Sequence, residues 1–320
     1  MLKHNYKTIR KNRTAINNMK SLTHCITRVN GSTNMKQIDE GKNAQIFMIQ
    51  NKSCGTIVIK INFNKKTTKK EVDVLMLTNA LIETNICPGY NYAHAFDIKN
   101  NRIYLEYADN NIRHYLLNSS ISVHLFYSML FQSLYSIMCF FYIAKRGHCD
   151  LHCSNIFIKN ISENICFVYK LNGNEYYIPT YGQLYLMGDF GSAYICNRYN
   201  YDFHDFITSL QRLILRKTFN FITLRELHTV IPKKLLDTRN VKINITGNDR
   251  DDVRNINKVL VANIDLFDYT KWLPEHDCIL IDILLKIKKH KNIISAIINI
   301  GSYFNKITTG QIYHLREINL

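Results

Sequence analysis

The sequence predicts a mixed α+β fold, in which a small sheet with one helix precedes a longer and mainly helical part. Two observations carry this prediction. Between residues 37 and 107, short β-type runs and turn residues surround one segment whose apolar residues recur at helical spacing. From residue 111 onward the spacing is mainly helical, apart from a strand-rich stretch between residues 156 and 186. We find no internal repeat and no low-complexity linker.

The small sheet is predicted to begin with a hairpin, because two apolar runs flank turn residues at Asn51 to Cys54. A helix follows, and Pro88 with Gly89 ends it. Two further runs complete the sheet. The four runs occupy residues 45–50, 55–63, 90–98 and 102–107, and the helix occupies residues 69–82.

The longest apolar run, residues 123–144, approaches the length of a bilayer-spanning helix. Ser128, Gln132, Ser133 and Ser136 interrupt it, and the chain has no second run of this kind. We therefore predict a buried core helix and no membrane span.

The last third of the chain offers elements but little chemistry. We expect a helix from about Asp202, a surface loop or short helices over residues 238–258, and one or two apolar helices over residues 279–300. The basic run at residues 286–291 is expected to be solvated, and Trp272 is expected in the core.

The composition limits the class of protein. The chain has 320 residues, of which 46% are hydrophobic, so it is not a disordered tail protein. Its 41 Lys and Arg against 25 Asp and Glu give a formal net charge of +16, which favours polyanionic partners: nucleotides, nucleic acid, phospholipid headgroups or an acidic protein surface. Nine cysteines without a Cys-x-x-Cys pair, and an N-terminus without an apolar core, predict an intracellular setting in the cytoplasm or nucleus.

Two short motifs follow the long apolar helix. Residues 148–155 read His-Cys-Asp-Leu-His-Cys-Ser-Asn, and residues 188–191 read Gly-Asp-Phe-Gly. Upstream lie a β-run that contains Lys60 and a helix that carries Glu71. In this order the motifs resemble the signature set of protein kinases, from residue 37 to beyond residue 210.

The resemblance implies a bilobal kinase-like fold within one domain. A basic N-terminal extension would occupy residues 1–36. A small β-rich N-lobe with one helix would occupy residues 37–107, and a larger, mainly helical C-lobe would occupy residues 108–320. ATP and Mg²⁺ are the implied cofactors.

Phosphoryl transfer from ATP requires a cation on the phosphates, metal ligands and a group that orients the attacking hydroxyl. The resemblance gives the role of the cation to Lys60, held by Glu71, with Asp73 as the alternative carboxylate. The separation of Lys60 and Glu71, 71 − 60 = 11 residues, is short for this family.

The remaining catalytic roles fall on the two motifs. The resemblance makes Asp150 the expected base and Asn155 and Asp189 the expected Mg²⁺ ligands, which would offer the hard oxygen donors that this ion prefers. His152 stands where typical protein kinases have a lysine that contacts the transferred phosphate.

The resemblance also implies a nucleotide pocket. In the phosphate-covering loop only the middle glycine, Gly41, is kept, with Ala44 at an outer glycine position and Ile46 in place of the usual valine. At the hinge, Leu105 would lie behind the adenine, and the main chain of Glu106 and Ala108 would bind its edge. Phe157 would form the floor of the adenine pocket.

A zinc site is the competing interpretation of the first motif. Its four soft ligands would be His148, Cys149, His152 and Cys153. Adjacent His-Cys pairs give poor tetrahedral geometry, and the kinase resemblance accounts for the same residues by position.

Several departures from the usual protein-kinase pattern indicate which kind of kinase the chain resembles. Cys149 replaces the arginine that usually precedes the base, and only about a dozen residues separate Asp189 from the helix near Asp202, with no Ala-Pro-Glu. These departures imply activity that needs no phosphorylation of an activation loop. A long stretch between Asn155 and Asp189, with a predicted hairpin turn at Asn172 and Gly173, resembles haspin.

A similar layout occurs in serine/threonine kinases of large DNA viruses, such as the poxvirus virion kinase. We therefore expect a viral, haspin-like serine/threonine kinase that is located in the host cell or in the virion. Its substrates would be proteins, among them basic, chromatin or virion proteins. A nucleic-acid partner is possible, but the excess of lysine is no evidence for it, since AT-rich codon bias would also produce this excess. The oligomeric state stays open.

Two other functions stay open. Kinases of small molecules, such as aminoglycoside and choline phosphotransferases, read His-x-Asp-Leu-His-x-x-Asn, as residues 148–155 do. A catalytically weak scaffold is the third possibility, and the degenerate glycine loop around Gly41 favours it.

Overall fold

The structure is a computed structural model that describes residues 35–51, 55–161, 165–195, 200–219, 264, 269–271, 273–304 and 310–320. These residues form a mixed α+β structure, as the sequence predicts, with a β-rich region followed by helices and two small sheets. The architecture is compatible with two lobes. Residues 1–34 of the predicted extension, residues 238–258 and Trp272 lie outside the described residues.

The first region is an antiparallel sheet of five strands in the order β1-β2-β3-β5-β4. The predicted hairpin is present as β2 and β3, with Ala44 opposite Asn62 at one end. The first strand begins at Met35, before the predicted start of the sheet. The strands are β1 (Met35–Glu40), β2 (Ala44–Asn51), β3 (Gly55–Asn62), β4 (Ala93–Asp97) and β5 (Arg102–Glu106).

Helix α1 (Lys65–Glu83) lies between β3 and β4 and begins four residues earlier than the pattern of apolar residues predicts. The reason is its N-cap, because the side chain of Asn64 accepts a hydrogen bond from the main-chain N–H of Lys66 at 2.7 Å. Its buried face includes Glu71, Leu75 and Ile82. The helix thus begins almost directly after the strand that carries Lys60.

The second region is built around helix α3 (Val123–Tyr142), which follows the short strand β6 (Asn110–Asn111) and helix α2 (Ile112–Asn118). By length and composition α3 could cross a membrane, and 78% of its most apolar window is buried inside the fold. The polar residues Ser128 and Gln132 are buried and hydrogen-bonded to the carbonyls of Pro179 and Gln183. Helix α3 is therefore the central packing element of this region.

Four strands follow α3 and form two different sheets. The first and last of them pair with each other, and the middle two form the predicted hairpin, with φ of 50° at Asn172 and 78° at Gly173. The strands are β7 (Ile156–Asn160), β8 (Ile165–Leu171), β9 (Asn174–Pro179) and β10 (Gln183–Met187).

The remaining described elements are helices α4 (Asn200–Phe219), α5 (Glu275–Lys288) and α6 (Ile293–Ser302), and strand β11 (Gln311–His314). The helix predicted near Asp202 and the two apolar helices are present. Strand β11 was not predicted, and it pairs with β8 in parallel, with Gln311 opposite Ile165.

Candidate active site

The ammonium group of Lys60 lies between two carboxylates. Its Nζ donates hydrogen bonds to Glu71 Oε1 at 2.7 Å and to Asp189 Oδ1 at 2.5 Å. The second oxygen of Glu71 accepts a hydrogen bond from Asn62 Nδ2 at 3.1 Å. Burial lowers the pKa of Lys60, but the charges of Glu71 and Asp189 outweigh this effect and raise the pKa above its ordinary value. Lys60 is therefore a charged ammonium group whose position is fixed by two carboxylates.

The structure selects Glu71 over Asp73 as the partner of Lys60. Glu71 is 1% exposed, whereas Asp73 faces solvent, because two residues along a helix turn the side chain to the opposite side. The separation of 11 residues between Lys60 and Glu71 suffices, since α1 starts directly after β3. The ion pair expected from the sequence is thus formed.

Asp189 follows strand β10 in a left-handed conformation, with φ of 60° and ψ of 64°. Its side chain is 48% exposed. Burial of the carboxyl group would raise the pKa of Asp189, but the charge of Lys60 and the hydrogen bond from it lower the pKa below its ordinary value. Asp189 therefore presents an ionised carboxylate beside Lys60.

The pairing of β7 with β10 brings the two sequence motifs together. Met187 pairs with Ile156, and the N–H of Gly188 donates to the carbonyl of Asn155 at 3.0 Å. Asn155 is buried, and its Nδ2 donates to the carbonyl of Asp150 at 2.8 Å. The amide of Asn155 is therefore oriented by the loop of Asp150, next to the residue that precedes Asp189.

Asp150 and His152 form the open side of the site. Their side chains are 59% and 45% exposed, and His152 Nε2 lies 4.0 Å from Asp150 Oδ1. Nδ1 of His152 accepts a hydrogen bond from the N–H of Ser154 at 3.2 Å. Neutral His152 therefore carries its proton on Nε2, the nitrogen nearer to Asp150.

Asp202, which the sequence indicates only as a helix start, also belongs to this site. Its carboxylate is buried and accepts hydrogen bonds from the main-chain N–H groups of His148 and Cys149, at 2.6 and 2.8 Å. Cys149 has a φ of 64°, which is uncommon for a residue other than glycine. The only sign of this role in the sequence is that Asp202 is an acidic residue in the first turn of the helix that follows the second motif.

The side chain of His148 is fully buried beneath the motifs. Its Nε2 lies 2.9 Å from the carbonyl of Gly188, and its ring packs against Phe190 with a centroid distance of 5.5 Å. Phe190 also packs against Phe140 and Tyr90. This apolar packing fixes the backbone on either side of Asp189.

The side chains expected at the nucleotide phosphates share one face of the first sheet. Ala44 and Ile46 on β2 lie opposite Asn62 and Lys60 on β3. Gly41 is exposed in the β1–β2 turn, where its N–H donates to the carbonyl of Ala44 at 2.9 Å. The role of these residues in ATP binding stays a prediction.

The expected hinge follows β5, where Leu105 pairs with Val58 of β3. The N–H of Glu106 donates to the carbonyl of Tyr92 at 2.9 Å, and its carboxylate accepts from the N–H of Tyr92 at 2.8 Å. Because the N–H of Glu106 is already engaged, the main-chain group of Glu106 that would bind adenine is its carbonyl, which would accept a hydrogen bond from the base. Ala108 is half-buried and follows directly.

Phe157, the expected floor, is half-buried and lies against Gly188. A Cβ atom at Gly188 would come within 2.6 Å of Phe157 Cε2 and within 3.3 Å of Asn91 Cβ. Only glycine fits between these side chains, so Gly188 sets the position of Phe157.

Two of the four side chains of the competing zinc interpretation are engaged elsewhere. His148 contacts the carbonyl of Gly188, and Cys153 Sγ lies 3.0 Å from Ser209 Oγ. No group of three or more His, Cys, Asp or Glu side chains in the described part of the chain is arranged to hold a metal ion.

The segment after Asp189 is short, as expected. Residues Phe190–Ser192 form a 3₁₀ turn, and Tyr194 exchanges main-chain hydrogen bonds with Gly147 at 2.9 and 3.1 Å. Helix α4 begins at Asn200. Residues 196–199 lie outside the described residues.

Comparison with known proteins gives one distant similarity. The chain is 26% identical over 141 residues to the probable serine/threonine-protein kinase 380R of Invertebrate iridescent virus 6. The match covers 37% of this chain and 26% of that protein, so the chain spans about a quarter of its relative. No protein-family model matches the chain. The similarity supports a relationship to a viral serine/threonine kinase.

Proposed function

We propose that the protein is an ATP- and Mg²⁺-dependent serine/threonine protein kinase. It would be haspin-like, with a short activation segment after Asp189. The observation that carries the proposal is the position of Lys60, which is hydrogen-bonded to Glu71 on the neighbouring helix and, across 129 residues of chain, to Asp189. A lysine fixed between a helical carboxylate and an ionised aspartate is suited to hold nucleotide phosphates beside a metal site.

Two oxygen donors fit a magnesium ion. Asn155 Nδ2 is engaged by the carbonyl of Asp150, so the amide oxygen is the atom of this side chain that can bind a cation. Asp189 uses Oδ1 for Lys60, which leaves Oδ2 for the ion. Hard oxygen ligands are those that Mg²⁺ prefers, and the bound ion would neutralise charge on the phosphates.

Asp150 is proposed as the group that accepts the proton of the substrate hydroxyl. Its side chain is 59% exposed, so a protein hydroxyl can reach it. His152 Nε2–H lies on the same side and would donate a hydrogen bond to the transferred phosphoryl group, in the role that a lysine fills in typical protein kinases.

The short segment supports activity without loop phosphorylation. Only residues 190–199 separate Asp189 from helix α4, and Cys149 supplies no cation for a phosphorylated loop. The unphosphorylated recombinant chain is therefore expected to be active.

The test is a kinase assay with recombinant, phosphatase-treated protein, ATP and Mg²⁺, on basic proteins and on lysate from the source cell. We expect incorporation of phosphate into serine or threonine by the wild type and by the exposed-site control Asp73→Asn, and loss of at least about 100-fold in Asp150→Asn. Equal incorporation with Asp150→Asn would contradict the proposal. ATP binding in a thermal-shift assay without any phosphorylated product would favour a catalytically weak scaffold.

A small-molecule phosphotransferase is the second candidate, because His152 lies near Asp150 and the segment after Asp189 is short. The same enzyme preparation is assayed with aminoglycosides and choline. Phosphorylation of these compounds, sensitive to Asp150→Asn and unmatched by any protein substrate, would assign this function instead.

A further inference from the structure

Lys159 connects strand β7 to the segment that follows β5. Its Nζ donates a hydrogen bond to the main-chain carbonyl of Tyr107 at 2.7 Å and lies 5.5 Å from the centroid of the Tyr107 ring. Phe157 and Lys159 are half-buried, whereas Ile156 and Ile158 are buried, as expected for alternating faces of a strand. Lys159 therefore shares its strand face with the expected adenine floor.

Strand β7 also holds the other side of this segment. The N–H of Asp109 donates to the carbonyl of Ile158 at 2.8 Å, and Asp109 Oδ2 accepts from the N–H of Asn160 at 2.8 Å. Ala108 is thus fixed on both sides by bonds to one strand.

The bond from Lys159 also sets the direction of the Ala108 N–H. The carbonyl of Tyr107 and the N–H of Ala108 belong to one planar peptide unit, and in a trans peptide they point in opposite directions. Because the carbonyl points toward β7 and Lys159, the N–H points away from them. Within the described residues, the N–H of Ala108 donates to no other group.

We propose that Lys159 is a positioning residue for nucleobase recognition, and this inference rests on the proposed function. By holding the Tyr107 carbonyl, it keeps the Ala108 N–H directed at a ring nitrogen of the bound base. The nucleotide it favours is one with an acceptor at the position of adenine N1. Lys159 acts through the main chain and does not itself take part in phosphoryl transfer.

The test compares two ligands, ATP and 1-deaza-ATP, which lacks the N1 acceptor. Dissociation constants are measured by isothermal titration calorimetry for the wild type, Lys159→Met and Lys159→Gln. Lys159→Arg retains a donor of similar reach, and Lys170→Met is the matched control, because Lys170 is also a half-exposed strand lysine, paired with Glu175 at 2.6 Å.

The wild type, Lys159→Arg and Lys170→Met are expected to bind 1-deaza-ATP about three- to tenfold more weakly than ATP, the range for one hydrogen bond. In Lys159→Met and Lys159→Gln, ATP binding weakens by about the same factor, and the difference between the two ligands falls below about twofold. The KM for ATP rises and kcat is unchanged.

Undiminished discrimination in both Lys159→Met and Lys159→Gln would overturn the role of Lys159, and so would equal binding of ATP and 1-deaza-ATP by the wild type. A wild type that binds no adenine nucleotide at all would instead remove the proposed function, and the inference with it. Circular dichroism of each variant identifies loss of fold, and two neutral variants keep the comparison available if one is unstable.

Discussion

The carboxylate of Asp202 accepts a 2.6 Å hydrogen bond from the main-chain N–H of His148, a residue 54 positions earlier in the chain. Its other oxygen accepts from Cys149 at 2.8 Å. Cys149 is held in a left-handed conformation, which costs free energy for a residue with a side chain. The direction of the next residue, Asp150, therefore depends on a buried carboxylate on helix α4.

Replacing Asp202 with Asn is expected to destabilise the protein and to misplace Asp150. An amide has one acceptor oxygen, so one of the two N–H groups would face the NH₂ group. Since a hydrogen bond to a charged group contributes about 1.5–3 kcal/mol, we expect a loss of roughly 2–3 kcal/mol in urea unfolding and a fall in kinase activity. Asp73→Asn, at an exposed aspartate on another helix, is the control. A change under about 0.5 kcal/mol in Asp202→Asn would contradict the assigned role.

Glu71→Gln is expected to weaken the site at Lys60. The substitution removes one charge of a buried ion pair, and breaking such a pair costs about 3–5 kcal/mol. Because Lys60 keeps Asp189 as a partner, we expect the lower end, about 3 kcal/mol in urea unfolding, together with a raised KM for ATP. Asp73→Asn, two residues away on the exposed side of α1, should change stability by no more than about 0.5 kcal/mol. Equal effects of the two variants would contradict this assignment.

The local parts of the fold were predictable from the sequence. Turn residues and β-type runs predicted the β2–β3 and β8–β9 hairpins, because both depend on neighbours within a few residues. The order of the motifs predicted the pairing of Lys60 with Glu71. The start of α1 was missed by four residues, because the cap at Asn64, not the apolar spacing, decides where the helix begins.

The non-local contacts were not predictable in the same way. Strand β11 is four residues long and pairs in parallel with β8, far away in sequence, and no local pattern specifies such a partner. The contacts of Asp202 and Lys159 likewise depend on which main-chain groups the fold brings near them. The sequence shows an acidic helix start and a strand lysine at these positions, for which solvation is the usual outcome.

Gly188→Ala is expected to displace Phe157. The added Cβ would meet Phe157 Cε2 at 2.6 Å, so this ring, the expected floor of the nucleotide pocket, has to move. Overpacking of this kind costs about 1–3 kcal/mol, and we expect a comparable loss of stability and a raised KM for ATP.

Gly41→Ala is the comparison for Gly188→Ala, because a Cβ there has its nearest neighbour, Ala44 O, at 3.8 Å. We expect unchanged stability in this variant and a raised KM for ATP only if the β1–β2 turn covers the phosphates. Thermal unfolding and ATP titrations of both glycine variants separate the two effects. A Gly188→Ala protein with wild-type stability and wild-type KM would show that Phe157 is not constrained as described.

His148 is expected to make the stability depend on pH. Burial lowers the pKa of His148 below its ordinary value of 6.5, although the Gly188 carbonyl and the carboxylates of Asp202, Asp189 and Asp150 act in the opposite direction. The geometry agrees, because Nε2 is bonded to the Gly188 carbonyl while Nδ1 is buried without a partner among the described residues. A second proton, on Nδ1, would have no acceptor.

The direction of this pH dependence follows from the protonation of His148 in the unfolded and the folded chain. Below pH 6.5 the unfolded chain binds a proton at His148, whereas the folded chain does so only below its lower pKa, so acid favours unfolding between these values. His148→Gln keeps an N–H near the position of Nε2 but cannot titrate. The stability of the wild type relative to His148→Gln should therefore be constant above about pH 7.5 and fall as the pH is lowered to about 5, by at most about 1.4 kcal/mol per pH unit. Urea unfolding at four pH values measures it, with the exposed His114→Gln as control. A relative stability that is flat or rises toward pH 5 would mean that His148 is not held neutral in the fold.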